Sequence, residues 1–340
     1  MKLAEPGRQA GGLTAAALPP PPVVAALPPG IVRPFFSVMI PVYNCPPHYL
    51  RETLLSVLAQ DPGPTEMQIE VLDNCSTDFD PAALVEEVGG GRVAFHRQPR
   101  NVGIVENFNE CINRARGHWI HILHGDDTVR GDFYQSARDG AEQHPEIGAV
   151  LCRSIYIDED GLWQGLTELE ARTPGVLPDE FAERQLLEQR IQFVGVLVRR
   201  ATYEELGGFH ASLLHCLDWD MWKRLVVRKR IYYNPEPVAC YRLHANADSD
   251  QWIQTGRNVI DERRSIEISC ARDVVPGRRV AFRRAARKAA GVRAARRALL
   301  LWKTRRHAAA RQQAVEALHC SRAPAVLARI AYFIIRTAVG

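Results

Sequence analysis

The strongest constraint in this chain is an alternation that begins near Phe35 and is complete by Leu123. Short apolar runs, each ending in a polar turn, trade places with segments of helical spacing. Ser37–Val42 is the first run and stops at Tyr43 and Asn44, before Cys45 and two prolines. Leu50, Leu54, Val57 and Leu58 then fall at i, i+4, i+7 and i+8, the stripe of an amphipathic helix. Gln68–Asp73 is the second run, closed by the polar turn through Asn74 and Asp78. Residues 81–88 read as a helix stopped by Gly89, Gly90 and Gly91, and Arg92–His96 as a third strand. Val105, Phe108, Ile112 and Ala115 mark another helix, ended by Gly117. His118–Leu123 is the fourth run and leads straight into His124, Gly125, Asp126 and Asp127. Such repetition specifies an α/β fold with a mainly parallel sheet flanked by helices.

Beyond this point Ala149–Ile157, Phe193–Val198, Arg230–Tyr233 and Val238–Arg242 read as strands, and Asp218–Val227 as a helix. The segment 158–192 is polar and reads as irregular. The charge then breaks sharply. From Gly256 onward there are 20 Lys and Arg against 5 Asp and Glu, whereas the preceding part has 23 against 34. Ala, Arg and Leu dominate from residue 278, so this basic tail is expected to be helical. The expected organisation is a disordered Pro/Ala-rich extension over 1–33, one α/β domain over 35–249 and a basic helical tail over 256–340.

A basic tail on an acidic body seeks anionic surfaces. Residues 323–338 are apolar apart from Arg329 and Arg336, and such helices can lie in a membrane interface. An anionic membrane surface is therefore a candidate partner. The rival is a fold-back onto the acidic body or a dimer contact. Nucleic acid is disfavoured by the acidic body and the lack of a recognition motif. The N-terminal residues carry no continuous apolar region, so no secretory leader is expected, and no apolar stretch suits a spanning helix. The eight cysteines are scattered without a C-x-x-C pair, which fits a reduced, cytoplasmic setting, peripheral to a membrane if the tail docks there.

In open α/β sheets ligands bind outside the carboxyl ends of the strands. Those ends carry Tyr43 and Asn44, then Asp73, Ser76, Thr77 and Asp78, then Asp126 and Asp127. Singly, Asp73 and Asp78 read equally well as turn residues, and Asp126-Asp127 as the start of a helix. Their joint placement argues for a site. Two adjacent carboxylates are costly unless a cation offsets them. Hard oxygen ligands suit Mg2+ or Mn2+, which also take phosphate oxygens and can neutralise a departing diphosphate.

The segments FSVMIPVYN, LRETLLSVLAQ, IEVLDNCSTD and RNVGIVENFNECINRARGHWIHILHGDD resemble successive blocks of family 2 glycosyltransferases, and VRRATYEELGGF, LDWDMWKRL and YRLHANADS continue the order. The resemblance covers about residues 35–249. It implies a GT-A fold, a nucleotide-sugar donor (a UDP-sugar first), a divalent cation, inversion at the anomeric carbon and a saccharide or lipid-linked acceptor. Carried over residue by residue, Pro41, Tyr43 and Asp73 would hold the base and ribose. Arg100, Asn101 and Gly103 match the R-N-x-G block near the nucleotide. Asp126 matches the last Asp of the family's D-x-D, where it would touch both donor and metal, and Asp127 the acidic residue after it. His124 stands where the first Asp is common and reads better as a strand-end residue than as a ligand.

Asp218 matches the family's acidic block before the acceptor-side helix, with Leu217 in place of the usual Glu. It is the candidate general base, a role compatible with an N-cap. Asp220 is its rival. Trp219 and Trp222 are candidates for a sugar platform, with one of them expected in the core. His244, in the last block, would complete the metal site with Asp126 and Asp127. The polar segment 158–192 would shape the acceptor site. A dinucleotide-dependent oxidoreductase is excluded because no G-x-G-x-x-G follows the first strand. A noncatalytic sugar- or nucleotide-binding relative is disfavoured by the joint presence of Asp73, Asp126, Asp127 and Asp218.

Overall fold

The computed structural model describes residues 20–244 and 248–339. The first half follows the expected alternation: β1 (Phe36–Val42), α1 (Pro47–Leu58), β2 (Met67–Asp73), α2 (Pro81–Gly89), β3 (Ala94–Arg97), α3 (Ile104–Arg114) and β4 (Trp119–Ile122). β1 lies between β2 and β4, all three parallel, with Val42 paired to Asp73 and Met39 to Ile122. Near-continuous apolar runs suit strands buried on both faces, and every residue of β1 and β2 is buried.

The second half is built differently. It contains β5 (Thr128–Val129), α4 (Phe133–Gln143), β6 (Ile147–Ile157), β7 (Trp163–Leu166), β8 (Gly175–Val176) and α5 (Glu180–Leu187). After these come β9 (Val196–Arg199), α6 (Arg200–Leu206), α7 (Leu217–Arg228) and β10 (Arg230–Arg242). Among the described residues the strands form one mixed sheet in the order β3-β2-β1-β4-β9-β6-β10-β5, with β7 beside β6 and β8 beside β10. β9 is antiparallel to both β4 and β6, and β10 is parallel to β6. Two reversals restore the direction, so β2, β1, β4, β6 and β10 deliver their carboxyl ends to one edge.

Three expectations are corrected by the strands and the core. The segment 158–192 is not irregular, because β7, β8 and α5 lie in it. The two late strands are one, β10, whose register against β6 shifts around Pro237, a residue that cannot donate to the ladder. Helices cover both faces of the sheet. One core gathers Phe108, Phe193, Phe209 and Trp222 beneath α3 and α7, and the other gathers Leu50, Leu54 and Phe133 beneath α1 and α4. Trp219 and Trp222 are both buried, so neither is a sugar platform.

The expected extension over 1–33 divides. Residues 1–19 lie outside the described residues. Residues 20–33 are held against the body: Val24 is buried, Pro22 O accepts from Gly208 N at 2.8 Å, and Ala25 O accepts from the buried Arg200 at 3.0 Å. Order therefore begins before Phe35.

The tail is helical as expected, with α8 (Asp248–Gln254), α9 (Arg257–Arg272), α10 (Arg279–Lys303), α11 (His307–Cys320) and α12 (Pro324–Val339). Ala286, Ala290, Ala294 and Ala298 line one face of α10 and pack with Ala310, Ala314 and Ala317 of α11. Small side chains let the helices approach closely. A Cβ on Gly291 of α10 would meet Ala317 O at 3.0 Å and Val326 Cγ2 at 3.0 Å. α9 folds back onto the body, with Lys223 Nζ donating to Ser265 Oγ at 2.8 Å and Arg272 to Asp220 at 2.9 Å. Among the described residues no helix is long and apolar enough to cross a membrane.

Candidate active site

The shared edge is where the sequence-derived residues meet. Pro41 is buried within β1 opposite Leu72, and Tyr43 just beyond it is half exposed. Asn44 adopts φ 48°, a left-handed value that Asn tolerates better than most residues. From there its Oδ1 accepts from the backbone N of Thr77 at 2.8 Å and of Asp78 at 3.2 Å. Asp73 is fully buried and accepts from Ser76 N at 3.0 Å and from Arg97 Nε at 2.6 Å. The turn after β3 is tied to β2 through a residue not singled out from the sequence, Asn74. Its amide donates to Asn101 Oδ1 at 3.0 Å and accepts from Val102 N at 2.8 Å. Gly103 has φ 89°, which disfavours any side chain there, and Arg100 stands exposed beside it. These residues make one polar wall, shaped by backbone hydrogen bonds.

The loop after β4 forms the floor. Gly125 packs so tightly on β1 that a Cβ would lie 2.6 Å from Val42 Cγ1. Thr53 of α1 donates to Asp127 O at 2.7 Å. Arg242 at the end of β10 donates its N–H to Asp127 Oδ1 at 2.8 Å and its guanidinium to Asp126 O at 2.9 Å. The ligand atoms of His124, Asp126 and Asp127 lie within 4.8 Å of one another. His124, read as a strand-end residue, thus stands beside the two carboxylates expected to hold a metal. His244 instead donates through Nε2 to Asp126 Oδ2 at 2.8 Å, which commits that nitrogen to the carboxylate.

The electrostatics fit a cation. Asp127 Oδ2 is buried with no hydrogen-bond partner. Burial first, then the charge of Asp126, pushes Asp127 well above the usual carboxylate range. Burial also opposes ionisation of Asp126. The hydrogen bond from His244 and the charges of His124 and His244 outweigh it and hold Asp126 below that range. One imidazole and two carboxylates, one with an orphan oxygen, are a suitable donor set for Mn2+ or Mg2+.

The opposite wall is set by α7. Asp218 sits in its first turn, accepting from Gln189 Nε2 at 2.7 Å and from Trp219 N at 2.6 Å. Burial pushes its pKa up to about 6, and those two hydrogen bonds only partly oppose the shift. Asp220 is different in kind. It is fully buried between Arg224 at 3.1 Å and Arg272 at 2.9 Å, and their charges override the burial cost and lower its pKa. An aspartate locked in that network has no access to a substrate proton, which disposes of it as the rival base. Phe193 joins the two walls, its ring centroid 4.8 Å from that of His124 and 5.3 Å from that of Trp222 on α7. Burial pushes the Tyr241 phenol of β10 upward, and the charges of Asp127, Asp126 and Asp218 add to the shift.

The family model described as Glycosyl transferase family 2 matches residues 37–207, half of the chain. The chain belongs to this family. An uncharacterized protein of Mycobacterium tuberculosis is 28% identical over 244 residues, covering 68% of this chain and 74% of the relative. Among solved structures, S. aureus TarS 1–349 in complex with UDP-GlcNAc aligns with TM-score 0.53 at 15% identity, covering 83% of this chain and 90% of that one. The mannosyltransferase PcManGT of Pyrobaculum calidifontis, in complex with GDP-Man and Mn2+, aligns with TM-score 0.56 at 17% identity, covering 95% and 82%. At these identities the likeness speaks for the fold, which is GT-A. As a family 2 glycosyltransferase the chain carries His124 where the first Asp of the D-x-D is common, and its structure sets that His within reach of both following carboxylates. The family match ends before Asp218, so the acceptor wall and Arg242 rest on the geometry alone. Arg242 lies in a block quoted from the sequence. Gln189 carries no local signal.

Proposed function

We propose that this glycosyltransferase moves a sugar from a nucleotide-sugar donor, a UDP-sugar first, to a hydroxyl of a saccharide or lipid-linked acceptor, with inversion. The observation that carries the reading is the pairing of two unlike carboxylate groups on walls that Phe193 joins. One is a cation-competent cluster and the other is a lone aspartate whose pKa lies near neutrality. Tyr43, Asp73, Arg100, Asn101 and Gly103, with Pro41 shaping the end of β1, would hold the nucleoside and diphosphate. His124, Asp126 and Asp127 would hold the divalent cation, with His244 orienting Asp126. The cation, when bound, supplies charge neutralisation to the diphosphate. The solved complexes of TarS with UDP-GlcNAc and of PcManGT with GDP-Man and Mn2+ hold such donors, and the second holds such a cation.

Asp218 takes the proton of the acceptor hydroxyl as its oxygen bonds to the anomeric carbon. The bond from that carbon to the diphosphate breaks, and its electron pair leaves with the diphosphate. A base near pKa 6 is mostly ionised at pH 7 and still basic enough to assist. The test is turnover of a panel of UDP- and GDP-sugars with Mn2+, then with EDTA. Turnover indifferent to EDTA and to Asp126→Ala would end the cation reading.

The last helix supports a peripheral place at an anionic membrane. On α12, Val326, Ile330 and Phe333 are buried, yet the opposite face is also apolar, with Ile334 57% and Ile335 61% exposed. An apolar strip left open on a surface helix wants cover. Exposed Lys303, Arg305, Arg311, Arg322 and Arg336 lie on α12 and the segments before it. From residue 274 to 339 the acidic side chain is Glu316, buried and paired to Arg263 at 2.6 Å. Anionic lipid complements this surface, at about 1 kcal/mol per basic group near the bilayer. The free cysteines among the described residues fit the cytoplasmic face. Flotation with phosphatidylserine vesicles should carry the full chain and should fail for Ile334→Glu/Ile335→Glu. Equal flotation of both would refute it, and a dimer in solution that buries α12 would replace lipid by a second copy.

A further inference from the structure

The C-terminal helical unit touches the catalytic body at a place the tail's composition gives no reason to expect. Asp261 of α9 is buried, and its Oδ2 accepts from three consecutive backbone N–H groups, Leu214 at 3.1 Å, His215 at 2.8 Å and Cys216 at 2.8 Å. Converging N–H groups of this kind form a concavity for negative charge. Cys216 is the residue on which α7 begins, and Asp218 follows two residues later. The carboxylate thus fixes the entry of the helix that carries the base. The other support of Asp218 is gripped by the same unit. Gln189, its hydrogen-bond donor, follows α5, and Arg293 of α10 donates to Leu187 O at the end of α5 at 3.0 Å. Trp219 Nε1 donates back to Gln185 O at 2.7 Å, closing the ring around the base.

We infer that Asp261 is a positioning residue for catalysis: the helical tail places Asp218 by holding the 214–216 backbone, so the catalytic base depends on a residue outside the family-matched region. The charge of Asp261 also reaches Asp218 and favours its protonated form. Cys216 and Tyr241, which feel the charge of Asp218, are pushed upward by burial and stay neutral below pH 8. Burial lowers the pKa of His215, beside Cys216, to about 4 and that of Lys223, over the Trp219 ring, to about 8, while Arg224 and Arg272 keep Asp220 ionised. The inference rests on Asp218 as base, so the experiment separates the two.

Full-length protein is assayed with whichever UDP- or GDP-sugar the wild type turns over, by steady-state kinetics and by calorimetry of the matching nucleotide. Asp261→Ala should lower kcat by about 10²-fold, the scale of an ångström misplacement, while nucleotide affinity changes less than about twofold. Asp261→Asn keeps an acceptor oxygen. It should hold kcat within about threefold at pH 8 while its acid limb moves to lower pH. Glu267→Ala, on the same helix with an exposed partner, should match the wild type. In an Asp218→Asn background, Asp261→Ala should cost nothing further. Wild-type kcat in Asp261→Ala overturns the inference, as do equal losses of kcat and nucleotide affinity, or additive losses in the double variant. Should Asp261→Ala fail to fold, Asp261→Asn decides, and an unmoved acid limb or an equally damaged kcat in it overturns the inference. Full turnover in Asp218→Asn alone would sink the base assignment instead.

Discussion

The two walls of the site are made in opposite ways. On the donor wall each residue sits at the end of a short parallel strand or in the turn after it. It is fixed by backbone hydrogen bonds from within residues 41–103, as Asn44 is by Thr77 and Asn74 by Val102. On the acceptor wall Asp218 is fixed by Gln189, 29 residues upstream, and by a loop tied to Asp261, 45 residues beyond Cys216. The first wall is local and the second is tertiary. The donor wall should therefore tolerate distant change, whereas the acceptor wall should answer to residues far from the chemistry.

The sharpest break of that contrast lies within the acceptor wall, at two aspartates on one helix. Asp218→Asn is expected to lose roughly 10²–10⁴ in turnover with nucleotide affinity intact, the usual span for a lost general base. Steady-state kinetics beside calorimetry checks it. Asp220→Asn should instead show its cost in folding, about 3–5 kcal/mol, because the buried Arg224 is left without its carboxylate partner, whereas Arg272 keeps Asp273. Urea denaturation measures that loss. A stable Asp220→Asn enzyme without turnover would reverse the two roles.

The local wall was legible in the sequence for the reason that makes it local. Strand ends, turn residues and the acidic pair at 126–127 are adjacent along the chain, and period and motif expose them. The α/β sheet and the edge carrying Asp73 and Asp126 followed from the same pattern, and the GT-A fold from the resemblance to family 2 glycosyltransferases. What failed was what only packing decides. Trp219 and Trp222 sit three apart on a helix, a spacing that suits a core as well as a platform, and burial put both in the core. His124 was read as a strand-end residue, and the turn at Gly125 brings it within reach of Asp126 and Asp127, a proximity that its place in the sequence does not reveal. The bond of Asp261 to residues 214–216 has no sequence signal at all, since an aspartate on an Arg-rich helix looks like a solvated charge.

Donor-wall locality can itself be tested at Asn74, whose side chain alone ties residues 101 and 102 to the end of β2. Asn74→Ala removes two hydrogen bonds at a buried position. It should weaken nucleotide binding by about 2 kcal/mol, the cost of leaving Val102 N and Asn101 without that partner. Turnover at saturating donor should barely change. Calorimetry reads the first and kinetics the second. A fall in kcat at saturation would show the two walls to be coupled.

The smallest effect is the most direct reading of the acceptor wall, because it needs no substitution. Asp218 titrates near pH 6, pushed up by burial. The base works ionised, so turnover should be nearly full at pH 7.5 and about tenfold lower at pH 5, following the ionised fraction of a single group. The same shift has a consequence for folding whose sign is fixed. A carboxyl group raised in the folded state favours folding when protonated. Ionised Asp218 therefore opposes folding as pH rises through about 6, and the penalty vanishes below its ordinary range near 4. Asp218→Asn should accordingly melt no lower than the wild type at pH 8 while losing its turnover, the signature of a charge kept for function against the preference of its surroundings. An acid limb near pH 4, or an Asp218→Asn protein that melts lower at pH 8, would mean that solvent reaches this carboxylate freely. The acceptor wall would then lack the tertiary closure that separates it from the donor wall.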